Sequence, residues 1–473
     1  MRARVAWWFY AAAAASLALI VVWNWVFALL QRAPLLYGEG AVAHAAILAR
    51  DGLEYTAAAH YSGDVPIFTA ANYPPLYFHL AGIGEDPFVS GRIVSIAATL
   101  FVAGAIAFHA RAAGALVAGA IALAWLASTP VMQWGPALKP DPLALALTVG
   151  ATIALVRERP LPLVSGALLG LAVMAKPTAL LPAVALLAYL ARRDTRDAMR
   201  LAAGGLVALV ATALLAQTPS GSIWTHVIEW NALPWRVELL VPLVIIGGLV
   251  LATPIGTVVS TRAGYGPVGA YLLGAIGVLV LGGREGATVN YFLDLSAALA
   301  LAASGIAPRI SLGHRYPVAS IAQLALGLIL LNPFQTTPSL LAPTAKWADP
   351  SLVAYVRDFV PGVVLAEDSG LLVASGREPV VDDLFLWSRN YATGKSFLEG
   401  PRLLDAVRAG LFDAILSEVE LERIDAGPGY ERQRWHPDLV AAVLERYQPP
   451  LQRIAGSCRA FVWCRQLYVY TRR

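Results

Sequence analysis

Residues 88–108 read FVSGRIVSIAATLFVAGAIAF, an apolar run interrupted by one charge, Arg92. About 20 consecutive apolar residues are what an α-helix needs to cross the hydrocarbon of a bilayer. The run therefore reads as a membrane span. Working outward from it, similar runs lie near 5–30, 114–132, 141–156, 160–175, 178–191, 200–217, 239–260, 265–282, 291–307 and 317–334, for about eleven transmembrane helices. Arg2 and Arg4 precede the first run as in a secretory signal, but that run continues to Leu30 and is long enough to span and stay. Several of the others fall short of a full crossing, and Pro140, Pro142 and Pro177 sit where they do. Short, Pro-interrupted segments are tolerated at membrane depth only where protein or water covers the backbone, so an internal cavity is expected.

Of the 473 residues, 58% are hydrophobic and only 14% charged, against roughly 25% charged in a soluble domain. The deficit falls on residues 1–335, while residues 336–473 have an ordinary soluble composition. The fold class expected is an α-helical polytopic membrane protein with a small C-terminal α/β soluble domain. Val363-Val-Leu-Ala, Pro379-Val-Val, Ala414-Ile-Leu and Leu467-Tyr-Val-Tyr read as strands there, with helices over 401–410 and 437–447. The net charge of +4 does not suggest nucleic acid as a partner, because no dense Lys/Arg tract with interleaved aromatics occurs. The only two cysteines, Cys458 and Cys464, read either as a disulfide of an oxidising compartment or as two reduced thiols. Their spacing matches no zinc pattern, and no metal and no cofactor is expected.

Orientation follows from the excess of Lys and Arg on cytoplasmic loops. With the N-terminus inside, the cytoplasmic segments collect twelve arginines, from Arg2 and Arg4 through Arg192, Arg193, Arg196 and Arg200 to Arg315, against three acids, Glu158, Asp194 and Asp197. An odd number of spans then places the C-terminal domain outside the cytoplasm. The expected location is the plasma (inner) membrane of the cell envelope, crossed many times.

Ionisable residues in or at the lip of a membrane domain are functional suspects. Glu39, Lys139, Asp141, Lys176, Arg284 and Asn290 all fall on the non-cytoplasmic side. One acid beside several cations suits a reaction in which a nucleophile needs a base and a phosphate leaving group needs positive charge. Glu39 reads as a general base or as a solvated loop acid. Lys139 and Asp141 read as a phosphate holder and a sugar-orienting acid or as an interfacial pair capping a helix. Lys176 lies between two short apolar segments and needs a partner, for which a phosphate is suited; snorkelling is the alternative. Arg92 reads as a structural partner of Asp86 or Glu85. Tyr73, in Asn72-Tyr-Pro-Pro, shapes a rigid rim or stacks on a sugar. The stretch from Glu39 to Arg50 reads as an amphipathic helix along the membrane surface. No Walker A pattern, dinucleotide fingerprint or nucleophile elbow is present.

Taken together, Tyr37-Gly-Glu-Gly, Tyr73-Pro-Pro-Leu-Tyr, Gly91-Arg-Ile-Val-Ser, Lys139-Pro-Asp-Pro-Leu-Ala, Ala175-Lys-Pro-Thr and Asn290-Tyr-Phe-Leu-Asp give the chain a likeness. Over residues 30–300 it resembles polytopic glycosyltransferases of the GT-C superfamily, close in style to bacterial relatives of protein O-mannosyltransferases and aminoarabinose transferases. The resemblance implies transfer of a hexosyl or pentosyl unit from a polyprenyl-phosphate donor to an extracytoplasmic lipid, glycan or protein. It implies Glu39 as catalytic base, with Asp141 as the other catalytic acid. Lys176, Lys139 and Arg284 would bind the donor phosphate, and Tyr73, Asn290 and Tyr291 the substrate. The family's acid is often aspartate, sometimes in an adjacent acidic pair; here Gly40 follows Glu39. Glu39→Gln is then expected to abolish transfer and leave the fold intact. The rival reading is a transporter or flippase of lipid-linked or polar solutes, which the absence of an internal repeat argues against.

Overall fold

Long runs rich in alanine and leucine, both strong helix formers, make most of the described residues helical. The computed structural model describes residues 2–55, 60–62, 65–215, 223–251, 266–306, 349–394, 400–426, 429–450, 453–456 and 465–473. The last expected span, residues 317–334, lies outside them, as do Cys458 and Cys464.

The first part of the chain holds α1 (Arg2–Leu29), α2 (Glu39–Leu48), α3 (Pro75–Ala81), α4 (Pro87–Ala110), α5 (Ala115–Leu126), α6 (Thr129–Trp134) and α7 (Asp141–Val156). Then come α8 (Pro162–Ala175), α9 (Leu180–Ala191), α10 (Thr195–Leu215), α11 (Val237–Leu251), α12 (Pro267–Val280) and α13 (Leu293–Ile306). Among the described residues, three helical segments are long and apolar enough to cross a membrane: Arg4–Trp23, Pro87–Ala113 and Thr195–Leu214. The others are shorter. The run expected over 114–132 is two helices, α5 and α6, because Pro130 lies in the first turn of α6 and starts a new helix there.

The helices enclose an apolar core that includes Trp25, Val102, Ile106, Trp125, Val149, Leu186 and Leu301. Large apolar side chains also point outward, among them Trp8, Phe9, Trp23, Leu206, Val207 and Leu273. Apolar residues on both faces are the pattern of helices bathed in lipid. Helices α8 and α10 approach most closely. A Cβ on Gly166 would fall on the carbonyl of Leu201, and one on Gly204 on the carbonyl of Leu163. Small residues at such crossings replace the hydrophobic drive that lipid does not supply.

The α2 helix does not lie on a surface. From Glu39 to Ala46 it is buried. Its expected amphipathicity fails because Gly40, Ala41, Ala43, Ala45 and Ala46 let it be packed on all sides. Residues from 349 onward cover it. They fold into α14 (Pro350–Phe359), α15 (Ser369–Ala374), α16 (Leu384–Ala392), α17 (Gly400–Arg408), α18 (Gly429–Arg434) and α19 (Pro437–Arg446) around a small sheet. Besides the hairpin β1 (His60–Ser62) and β2 (Val65–Ile67), the strands are β3 (Val364–Ala366), β4 (Ala414–Ser417), β5 (Tyr447–Gln448), β6 (Arg453–Ala455) and β7 (Gln466–Arg472). Sheet order is β3-β4-β7-β5, with β6 also on β7. The β3–β4 pair is parallel, with Val364 opposite Ala414, and β7 runs antiparallel to β4. Pro379-Val-Val forms no strand of its own; Val381 makes a single parallel bridge to Phe68.

The α8–α10 contact yields a stability test. Gly166→Leu should lower the melting temperature of the purified protein, since forced overpacking costs about 1–3 kcal/mol or more. Gly119→Leu, where a Cβ meets nothing within 4 Å, should melt like the wild type.

Candidate active site

Three interruptions of helix bring polar side chains to one place. Asp141 opens α7, with Pro140 before it and Pro142 in the first turn. Helix α8 stops at Lys176 because Pro177 follows; the residue before a proline is driven to extended backbone, and Lys176 has φ −151° and ψ 125°. The third is the 3-10 turn Val289–Phe292 that leads into α13.

Lys176 Nζ donates to Asp141 Oδ1 at 2.6 Å. Asn290 Nδ2 donates to the same oxygen at 2.7 Å. Thr288 Oγ1 donates to Asn290 Oδ1 at 2.8 Å, which fixes the amide so that its NH2 faces Asp141. The Lys176 ammonium also lies 5.0 Å from the centre of the Tyr291 ring, within range of a cation–π contact. Asp141, Lys176, Asn290 and Tyr291 are all buried. Asp141, Lys176 and Asn290 line a small hollow, open on one side, whose polar lining is Asp141, Thr148, Lys176, Thr178, Asn290 and Asp294. One feature of the hollow is unusual. Asp141 Oδ2 is buried and, among the described residues, has no hydrogen-bond partner. Leaving such an oxygen unmet costs about 1–3 kcal/mol, so the site stores a demand for a donor.

Glu39 lies elsewhere. It is fully buried, and it does not line the hollow. Its Oε2 accepts from Arg92 Nη2 at 2.8 Å and from the Leu35 N–H at 2.6 Å. Its Oε1 accepts from the Leu138 N–H at 2.7 Å. Arg92 in turn donates to the carbonyls of Ala28, Gln31 and Ala33 at 3.1, 2.5 and 2.7 Å. Arg92 is thus a structural partner, but of Glu39 rather than of Asp86, which instead caps α4 by accepting from the Phe88 N–H at 2.9 Å. The adjacent acidic pair that the family resemblance allows for has no room here. A Cβ on Gly40 would enter the backbone of Gly370.

The remaining expected residues stand around this centre. Burial first, then the Asp141 carboxylate and Tyr291, hold the Tyr73 phenol well above its ordinary pKa, while Arg284 acts the other way. Tyr73, Asp141, Tyr291 and Arg284 therefore share one electrostatic neighbourhood. The Arg284 Nη1 donates to the Asn231 carbonyl at 2.9 Å, and its Nε is buried without a hydrogen-bond partner. Lys139 is committed differently: its Nζ donates to the Gly38 carbonyl at 2.7 Å. Burial lowers its pKa despite the pull of Asp383, Glu39, Asp141 and Asp368. Gly38 has φ 76°, and a Cβ there would stand 2.9 Å from that ammonium.

Several participants were not singled out in the sequence. Asp294 lines the hollow, and its Oδ1 accepts from the buried Tyr271 hydroxyl at 3.1 Å. It lies one helical turn after Asn290, a spacing that is a usable signal. The C-terminal residues contribute Asp382, Asp383 and Arg434. Tyr37 O–H donates to Asp383 Oδ1 at 3.1 Å, accepts from the Phe385 N–H at 2.9 Å, and stacks under the Arg434 guanidinium at 4.0 Å. His44 Nδ1 lies 2.7 Å from Asp382 Oδ1, with both side chains buried. No local sequence pattern announces contacts between residues more than 300 positions apart.

Two outcomes follow. Glu39→Gln should cost about 3–5 kcal/mol, because it leaves Arg92 as an uncompensated buried charge; thermal melting of the purified protein reads this, and an unchanged melting temperature would contradict the buried pair. The second concerns pH. Burial lowers the His44 pKa, but the charge and hydrogen bond of Asp382 outweigh it and raise the group above its ordinary 6.5. The pair's stabilisation is therefore full below about pH 6.5 and is lost as pH rises through the folded-state value. The melting-temperature gap between wild type and His44→Gln should be widest near pH 5.5 and shrink in alkaline buffer.

Residues 74–222 match the family described as dolichyl-phosphate-mannose-protein mannosyltransferase. No curated protein sequence matches the chain. Among solved structures, the chain is similar to ArnT from Cupriavidus metallidurans in the apo state, with TM-score 0.60 and 14% identity, over 96% of this chain and 97% of that one. The same protein bound to undecaprenyl phosphate gives TM-score 0.56 at 15% identity over the same shares, 96% and 97%. The apo oligosaccharyltransferase of Archaeoglobus fulgidus gives 0.54 at 12% identity, over 98% of this chain and 74% of that one. At such identities the likeness speaks for the fold, and it runs nearly end to end: the chain has the fold of the GT-C glycosyltransferase superfamily, as its motifs suggested.

Proposed function

We propose that this protein is a membrane glycosyltransferase that moves a sugar from a polyprenyl-phosphate donor to an acceptor on the non-cytoplasmic side of the plasma membrane. The observation that carries the reading is the buried Asp141 oxygen without a hydrogen-bond partner, held beside the Lys176 ammonium in one hollow. A base next to a cation is what an acceptor hydroxyl and a phosphate leaving group require. The undecaprenyl phosphate bound to ArnT, whose fold this chain shares, supports the donor class. About eleven spans, the N-terminus inside and residues 336–473 as an extracytoplasmic domain belong to the same proposal.

In the mechanism the donor's phosphate rests against Lys176, with Arg284 as a second cation. Asp141 Oδ2 takes the proton of the acceptor hydroxyl. The acceptor oxygen bonds to the anomeric carbon as the bond from that carbon to the phosphate oxygen breaks. Configuration inverts, and the lipid phosphate leaves with its negative charge held by the lysine. Asn290 keeps Oδ1 occupied so that Oδ2 faces the acceptor. Tyr73 and Tyr291 wall the sugar. Glu39, rather than acting on the substrate, holds the Leu138 N–H and so sets where the loop delivers Asp141. Both carboxylates keep a place in the reaction, one as base and one as positioning residue.

The test is Asp141→Asn, which preserves size and the hydrogen bond to Lys176. It should lower the rate of sugar transfer from lipid extracts to acceptor about 10²–10⁴-fold, the usual share of a general base; melting is followed alongside, because the change also takes the counter-charge from the buried Lys176 ammonium. Lys176→Gln should lower it comparably. Transfer at wild-type rate in both variants would sink the assignment. Movement of lipid-linked sugar across vesicles with no transfer at all would favour a flippase.

A further inference from the structure

The hollow holds a second carboxylate that the mechanism above does not use. Asp294 sits in the first turn of α13 and lines the same space as Asp141 and Lys176. Its Oδ1 is held by the Tyr271 hydroxyl at 3.1 Å, and Tyr271 is itself fully buried on α12. Among the described residues, no hydrogen bond reaches its other oxygen. The arrangement is built rather than incidental: one carboxylate oxygen is locked by a buried phenol, and the side chain lines the hollow.

Charge decides what that oxygen can meet. The lining carries two carboxylates and one ammonium. A phosphate placed at Lys176 adds another negative charge, so the phosphate itself is repelled from Asp294. The ligand suited to a carboxylate oxygen here is a neutral or positive hydrogen-bond donor. On the donor lipid those groups are the hydroxyl or amino substituents of the sugar. Charge-assisted hydrogen bonds to such groups are roughly twice as strong as neutral ones. A site built to bond a sugar hydroxyl also rejects an analogue that lacks it.

We propose that Asp294, oriented by Tyr271, is the residue that holds and selects the donor sugar through a hydrogen bond from one of its hydroxyl or amino groups. The inference rests on the glycosyltransferase reading above. It divides the hollow in two: Lys176 meets the phosphate, and Asp294 meets the sugar.

The experiment uses the full chain in lipid nanodiscs and two kinds of probe. One is undecaprenyl phosphate; the other is a panel of undecaprenyl-phosphate-linked hexoses and pentoses. Asp294→Asn should leave the affinity for undecaprenyl phosphate within twofold of wild type. It should weaken the preferred sugar-bearing lipid about tenfold or more. Tyr271→Phe, which frees Asp294 without removing its charge, should weaken the same lipid by a smaller factor, again sparing the bare phosphate. Melting temperatures of both variants identify any loss of fold, and a folded Tyr271→Phe keeps the test decisive if Asp294→Asn is unstable. Equal weakening of both probes would mean that Asp294 acts through Lys176, and would overturn the assignment while leaving the donor class intact. No change in either probe would overturn it too. A wild-type protein that binds none of the sugar-bearing lipids would overturn the donor reading, and this inference with it.

Discussion

A buried ion pair at the foot of the first long loop holds the molecule's polar parts in register. Glu39 and Arg92 are both fully enclosed. Neither tolerates isolation, since an unpaired charge in such surroundings is worth several kcal/mol of penalty. Their hydrogen bonds tie the start of α2 and the first turns of α4, where the two residues sit, to the end of α1 at Ala28, to Leu35 and to Leu138 ahead of α7. Pieces of chain that lipid would leave free to slide are thereby fixed together. Lys139 and Asp141 follow Leu138 directly, so the geometry of the hollow inherits its precision from this pair.

The polar layer is arranged by partial satisfaction. Asn290 has each end of its amide engaged, Lys176 has a carboxylate and an aromatic face, and Glu39 has both oxygens occupied. Against that background Asp141 Oδ2 stands out: of the buried side-chain atoms without a hydrogen-bond partner among the described residues, it is one that belongs to the lining of the hollow. The same contrast separates the two acids. Both oxygens of Glu39 accept hydrogen bonds, whereas only one oxygen of Asp141 does among the described residues.

Much of this was legible in the sequence, and the reasons for what was not are physical. Helix positions were readable from the long apolar runs; α4 and α7 begin and end within a few residues of the expected limits. The meeting of Asp141, Lys176 and Asn290 was readable as a set because prolines and a lone lysine inside apolar sequence have few innocent explanations. The burial of Glu39 was not. A Gly-Glu-Gly looks like a solvated loop when its covering partner, Gly370, is supplied from far along the chain. For the same reason α2 was assigned to a surface: alanine-rich helices are read from periodicity, and periodicity cannot tell a helix packed on all sides from one floating at an interface. Strands β3, β4 and β7 were visible because alternation is local, whereas Val381 pairs only with Phe68, a choice made by tertiary structure.

The contact between Gly40 and Gly370 also has a bearing on biosynthesis. The second glycine is made 330 residues after the first (370 minus 40). At about 5–20 residues per second, α2 waits on the order of a quarter of a minute to a minute for the backbone that seals it. During that interval His44 has no Asp382 and Tyr37 has no Asp383. The newborn membrane portion holds that polar seam unfinished until residues 370–383 have been made.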